Sequence, residues 1–372
     1  MRGNMTTAEA MASRLNNQQL KHTQFEKVED LVNWMGMMQA QDYRQFRWAI
    51  GIRMKTPDAE AIKNSFSAGS IVRLHLLRCT IQAVSAQDYH WILDLCKERN
   101  LSTIKSWPSY NKTTFSEQYH KEATAALKDI LSSKRSLTKR LIGEEMAKLG
   151  LPADIAHLNQ VILRGEIEGL LVSGDMKGTE ATWALANMKL KNVDAHPHTP
   201  KDKALTTLAR KYFQSHSPAS LEDFCWWTGL PVSQNKEAIQ LIAKELEEVG
   251  IGRQSMFLYK QGHGVGNVTE NHSQDAKDKS VLFLPPYDEY LIGYKSRWIS
   301  IKKEHESKTH NNFGTFHPVV LYNGEIVGNW RMSMSKKTIS IDTDIFSRKQ
   351  EIGERRLVEA QSALRNFYNR QD

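Results

Sequence analysis

Gln39 and Gln41 stand two residues apart in the run Met35-Gly36-Met37-Met38-Gln39-Ala40-Gln41-Asp42-Tyr43-Arg44. A carboxamide is too weak a base to deprotonate water outright, but it offers an acceptor oxygen and two N–H donors. A converging pair can therefore position a water molecule and stabilise developing charge. Convergence depends on the backbone. In a helix residues i and i+2 point about 200° apart, whereas in an extended or turn segment their side chains leave on one side. Upstream, Leu31, Trp34, Met35 and Met38 share one helical face, and downstream Phe46, Ala49, Ile50 and Met54 restart such a face. Helices are expected over residues 29–38 and 43–54, with a break at Gln41, because the phase is not carried across and Asp42 with Gln45 forms a capping-box-like pair. On these residues alone, the plainer reading is that both amides satisfy a helix–turn–helix junction.

The elements that must hold the pair belong to a chain of 372 residues, long enough for two to four modules. Lys and Arg number 50 against 42 Asp and Glu, a formal charge of +8, which weakly favours a polyanionic partner such as nucleic acid. Three cysteines without C-x-x-C spacing argue against a disulfide scaffold or a zinc site. No run approaches the ~20 apolar residues of a membrane span, and no signal-peptide pattern opens the chain, so a cytoplasmic, soluble protein is expected. His196-Pro197-His198 reads as a solvated linker rather than a metal site, and Gly262-His263-Gly264-Val265-Gly266 as a loop, since no helix opens after it.

In chain order, helices at 29–38, 43–54 and 57–66 precede Ile71-Val72-Arg73-Leu74-His75-Leu76-Leu77, where the period changes to 2 and Arg73 and His75 share a face. A second strand, Thr80 to Val84, and a helix at 86–97 follow. This is the layout of a winged helix. After a linker at 100–114 the pattern repeats: helices from Ser116, from Ser136 or Thr138, and from Pro152, then strands around 170–175 and 181–185. A third set has helices at 202–214, 220–228 and 231–249, the last capped by Ser233, and a strand from Met256. From Ser280 the chain turns β-rich, with Asn323-Gly324 as a strong hairpin signal. The expected fold class is α+β, mainly α. Three tandem winged-helix domains at 1–110, 111–195 and 196–275 would precede a β-barrel-like domain with a terminal helix at 276–372. Trp34, Trp48, Trp226 and Trp227 read as packing residues.

Several stretches together resemble one family: Met38-Gln39-Ala40-Gln41-Asp42, the segment from Ile71 to Thr80, Pro218 to Leu230, Leu284 to Tyr294, and Gly324 to Arg331. In order and spacing the chain resembles the AlkZ-like bacterial DNA glycosylases, tandem winged-helix enzymes that include some unhooking interstrand crosslinks. The resemblance implies that Gln39 and Gln41 are catalytic, since a Gln-x-Gln motif is catalytic in that family and the related YcaQ-like branch carries Gln-x-Asp. Two positions depart from the pattern. Cys79 replaces the glycine of an Arg-Gly-Thr turn, where a positive φ would be strained, and Gln82 replaces a histidine.

The implied activity is hydrolysis of the N-glycosidic bond of cationic N7-alkylated purines in base excision repair, with crosslinks as a further substrate. The implied partner is double-stranded DNA bound by a monomer, with no cofactor and no metal. Arg44, Arg73, His75, Arg78, Thr80 and Gln82 are candidate DNA contacts, and Asp288 is the competing candidate for a base. Both glutamines should lie at a junction facing the DNA cleft, and if either is buried against the core the assignment is wrong. The alternative is a non-catalytic winged-helix DNA-binding protein, a regulator or damage sensor. A lone strand face of basic residues is otherwise only solvated.

Overall fold

The helix leading into the Gln-x-Gln stretch, Val28–Met35, stops because Gly36 takes φ +78°, a left-handed turn that glycine adopts without a Cβ penalty. The computed structural model describes residues 3–107, 115–176, 180–190, 199–260, 280–335 and 338–369. Met38, expected in that helix, instead enters a two-residue strand, Met38–Gln39. The next helix is shorter than expected, Phe46–Gly51, and Gln45 rather than Asp42 stands at its N-cap, making no side-chain cap bond to the helix.

The chain forms two units, each assembled from separated stretches. One comprises Val28–Tyr43 and Ala61–Ala204 and carries the Gln pair. Its first sheet has Ile81–Ser85 at the centre, antiparallel to Met38–Gln39 on one side and to Ile71–His75 on the other. The helix Tyr89–Ser106 follows, so the linker expected at 100–114 is helical through Ser106, and its remainder at 108–114 lies outside the described residues. The second half of this unit has helices Glu117–Lys134, Lys139–Lys148 and Ile155–Ile167, begun by side-chain caps from Ser116, Thr138 and Asp154. A three-stranded antiparallel sheet of Leu137–Thr138, Thr182–Leu185 and Leu171–Ser173 completes it. Its core gathers Leu127, Leu131, Ile142, Met146 and Leu171, all essentially inaccessible.

The other unit comprises Met1–Lys27, Arg44–Glu60 and Leu205–Asp372. Helices Lys201–His216 and Leu221–Thr228 match expectation, the second through a Ser220–Asp223 capping box. The third ends at Leu241, and residues 246–249, expected to be helical, open the strand Leu246–Ile251. Pro231 rather than Ser233 stands at that helix's N-cap. The strand pairs antiparallel with Gln254–Tyr259 and parallel with Gly3–Met5.

The β-rich region does not form the expected barrel. Its strands Val281–Leu284, Val319–Tyr322, Glu325–Met334 and Ile339–Ile345 make an open antiparallel sheet in that order, and among the described residues the outer two strands do not pair. The outer strand is served instead by indoles: Trp48 Nε1 donates to the Phe283 carbonyl at 2.6 Å and Trp330 Nε1 to that of Leu284 at 2.8 Å. Helix Glu354–Asn369 packs on the same strand. No described helix is long and apolar enough to cross a membrane.

The hairpin turn at Asn323-Gly324 forms as expected, with φ +50° and +86° at its centre. A Cβ on Gly324 would stand 3.1 Å from Met11 Cβ and 3.2 Å from the Tyr290 hydroxyl. Gly324→Ala therefore combines a left-handed φ with a tight contact. It is expected to lower unfolding free energy by about 1–3 kcal/mol, measured by urea denaturation.

Candidate active site

Register decides which side chains share a face. Gln39 pairs with Gln82, which pairs with Leu74, so these three lie on one face of the sheet. Met38, Ala83 and Arg73 form the next row and project to the other face, as do the paired Ile81 and His75. Beyond the strand, the Ala40 N–H donates to the Ile81 carbonyl at 2.9 Å.

Gln39 is buried, at 4% exposure. The amide orientation that satisfies its surroundings turns Nε2 to the Ile81 carbonyl at 2.8 Å. Its Oε1 then accepts from the Thr80 hydroxyl at 2.9 Å and from an Arg78 Nη2 at 3.2 Å. The reverse orientation would set amide N–H groups against the Arg78 guanidinium. Gln41 is exposed, and no described residue hydrogen-bonds its side chain. The expectation that both amides face outward together is therefore not met. Gln39 is enclosed, though by polar groups of the hairpin, and Gln41 alone is open to water.

The hairpin that encloses Gln39 is strained where the departure from the family pattern predicts. Arg78 and Cys79 both have positive φ, +60° and +53°, a region costing roughly 1–2 kcal/mol for a residue with a Cβ. Cys79 packs with Ile104, Leu163 and Ile167, contacts a glycine could not make. Burial, aided by the nearby Glu166 carboxylate, pushes its thiol up to about 12, so it is inert as a nucleophile. Gln82 is buried, with Oε1 accepting from the Leu77 N–H at 3.1 Å, which orders the same turn.

Sequence reasoning placed Arg73 and His75 on a solvent or DNA face. The structure shows Arg73 buried at 7% exposure, with Nε donating to the Ala40 carbonyl at 2.8 Å and the guanidinium 5.3 Å from the Tyr43 ring centroid. Burial lowers its pKa, while Glu166, Tyr43 and Asp42 favour the charged form. His75 is about one-fifth exposed (21%), and its Nδ1 contacts Glu166. Glu166 also accepts from the His75 backbone N–H at 3.1 Å and from Trp183 Nε1 at 2.6 Å. Ser173 Oγ accepts from the Arg73 N–H at 2.9 Å. Two N–H groups on the outer strand are thus capped by side chains about a hundred residues away. Neither Glu166 nor Ser173 is distinguishable in the sequence.

Arg78 and Thr80 are half-buried beside Gln39, and Arg44 is exposed. A cavity of about 630 Å³ in the same unit, lined by Glu29, Asp30, Arg135, Asp175 and Lys189 among others, includes neither glutamine.

Asp288, the competing candidate for a base, lies in a buried ion pair. Its two oxygens take a bidentate ion pair from Arg53 at 2.7 and 2.8 Å, with both side chains fully buried, and Oδ1 also caps the Tyr290 N–H at 2.9 Å. Trp227 and Trp48 are core residues as expected, and Trp226 Nε1 donates to the Ile292 carbonyl at 2.8 Å.

The fold is one seen in a DNA glycosylase. The chain aligns with Streptomyces sahachiroi DNA glycosylase AlkZ at a TM-score of 0.72 and 18% identity, over 97% of this chain and 96% of that one. The AlkZ-like DNA glycosylase family matches residues 32–367, and the chain belongs to that family. It is also 21% identical over 332 residues to the interstrand DNA cross-link repair glycosylase of Streptomyces sahachiroi, covering 87% of each.

Asp288→Asn leaves the buried Arg53 charge unpaired and is expected to cost about 3–5 kcal/mol in chemical denaturation, with activity per folded molecule unchanged. For Glu166, burial alone would raise the carboxyl, but His75, Trp183 and Arg73 hold it below the usual 4.5. A depressed folded pKa stabilises the protein fully above the unfolded value and loses that contribution as pH falls through the folded value. The stability difference between wild type and Glu166→Gln should accordingly be greatest above pH 4.5 and shrink below it, read from denaturation midpoints across pH.

Proposed function

We propose that this protein is a monofunctional DNA glycosylase that hydrolyses the N-glycosidic bond of cationic N7-alkylated purines in base excision repair. Alkylation at N7 puts positive charge on the base. When the C1′–N9 bond breaks, its electron pair flows into the purine, which leaves neutral without a general acid. The sugar passes through an oxocarbenium-like state that water captures, and the water's proton is released to solvent. What the enzyme must supply is orientation of that water and stabilisation of positive charge on the sugar, both within reach of an amide oxygen. An N7-linked interstrand crosslink presents the same cationic leaving group twice, so unhooking follows from the same chemistry.

The observation that carries this reading is the exposed Gln41 amide beside an enclosed Gln39 in a chain of this family. The two divide the work. Gln41 meets the sugar and the water, while Gln39 serves the same centre by holding the hairpin that carries Arg78 and Thr80. Arg44 would meet phosphate, and Arg78 and Thr80 complete the DNA-facing set, while the His75 ring is taken up by Glu166. Gln82 acts through the turn it orders. The name of the curated relative, an interstrand DNA cross-link repair glycosylase, supports cross-linked DNA as a substrate. Winged-helix modules at 1–110, 111–195 and 196–275, with a β-rich module at 276–372, would present these residues to a duplex. The protein would act as a cytoplasmic monomer, associating with the nucleoid when bound to DNA. This hydrolysis needs no cofactor, and no lysine stands out in the sequence as a Schiff-base candidate, so the expected product is an abasic site.

The test is release of N7-methylguanine from alkylated duplex DNA. Gln41→Ala is expected to lower the single-turnover rate by about 10²-fold, and Gln39→Ala by about 10-fold or more. Excision of uracil by wild type as fast as N7-methylguanine would remove the cationic-lesion selectivity. Equal rates in all three proteins would remove the assigned site. Duplex binding with no base release would favour the non-catalytic DNA-binding protein.

A further inference from the structure

The strand that begins the Gln-x-Gln motif ends at Gln39, so the next peptides have no continuing ladder to fix them. Two hydrogen bonds remain. The Ala40 N–H is held by the Ile81 carbonyl at 2.9 Å, and the Ala40 carbonyl receives Arg73 Nε at 2.8 Å. The carbonyl of residue 40 and the N–H of residue 41 lie in one peptide plane. Fixing that carbonyl therefore fixes the plane from which Gln41 departs. Because no described residue hydrogen-bonds the Gln41 side chain, its direction depends on the backbone beneath it.

Arg73 reaches this carbonyl across the face of the sheet opposite Gln39, passing the central strand. Its backbone N–H is anchored by Ser173 Oγ at 2.9 Å, its side chain lies by the Tyr43 ring, and Glu166 supplies the counter-charge. Glu166 is in turn held by Trp183 and His75. We infer that Arg73 is a positioning residue for the glycosylase centre, setting the peptide plane between the two glutamines, and that it does not bind DNA phosphate. This rests on the glycosylase reading above.

Side-chain chemistry separates the two roles. Lysine keeps the positive charge but places a methylene where arginine has Nε–H. Glutamine loses the charge but places an amide N–H at that same position along the side chain. If Arg73 positions the motif, Arg73→Gln keeps the single-turnover rate at saturating protein within about fivefold of wild type, and Arg73→Lys loses at least about tenfold. Duplex affinity and its salt dependence stay unchanged in both. If Arg73 contacts phosphate, the order reverses: Arg73→Lys retains function, and Arg73→Gln binds more weakly with a salt slope reduced by about 1. That result, or equal rates in both variants and wild type, overturns the inference.

Folding of each variant is checked by its near-ultraviolet circular dichroism. Should Arg73→Gln fail to fold, the backbone amide resonance of Gln41 in Arg73→Lys gives a second readout. A shift there supports the positioning role, and an unmoved resonance refutes it. Wild-type protein that releases no base would sink the glycosylase assignment alone, since the Gln41 resonance still reports on Arg73.

Discussion

Taking a carboxylate fully out of water costs several kcal/mol unless donors and a cation take up its oxygens. Glu166 meets that condition with the Trp183 indole, the His75 ring and backbone, and the field of Arg73. Each partner then has its geometry restricted. His75 is turned toward the second half of its unit, and the outer strand it belongs to is closed to further pairing. Arg73 can stay charged at 7% exposure because that carboxylate is near. From there its Nε–H extends to the backbone of Ala40. A negative charge in the helix Ile155–Ile167 is in this way connected, through one guanidinium, to the peptide between two glutamines.

On the other face of the same sheet the economy is different. Gln39, Thr80 and Gln82 are neutral, and with the half-buried Arg78 they settle on one another and on the backbone of the turn. The turn tolerates two consecutive residues at positive φ because apolar packing of Cys79 and the bonds to Gln39 and Gln82 hold it closed. Where the family pattern has a glycine free of strain, this chain has strain offset by contact.

Local chemistry was readable in the sequence wherever the deciding residues are neighbours. The Asn323-Gly324 turn, the Ser220 cap and the change of period at Ile71 are of this kind, and each appears in the structure. The end of the first helix was misplaced because Met38 continues the apolar period, while the termination rests on the φ of Gly36. Arg73 looked solvent-facing because an alternating strand reports only which residues share a face, not what covers that face. Its cover comes from residues 166, 173 and 183. Asp288 looked like a turn residue or a base because its partner, Arg53, is 235 positions away. The barrel was expected from strand content, but closure depends on which edges meet, and here indole donors and a helix serve the outer strand.

The stretches that make up the two units set the order in which they can be completed during synthesis. The unit holding the Gln pair is finished once residue 204 has emerged. Residues 1–27 and 44–60, by contrast, belong with residues 205–372. Leu15 and Leu20 find their apolar neighbours in Leu284, Leu291 and Ile326, which at roughly 5–20 residues per second are many seconds away on the ribosome. Gly3–Met5 waits in the same way for the strand Leu246–Ile251. The nascent chain thus carries these earlier-made segments unpaired while the unit with the Gln pair is already able to close. A chain cut short after the Gln-x-Gln motif's own unit would carry residues 1–27 and 44–60 with nothing to fold against, open to capture by chaperones and proteases.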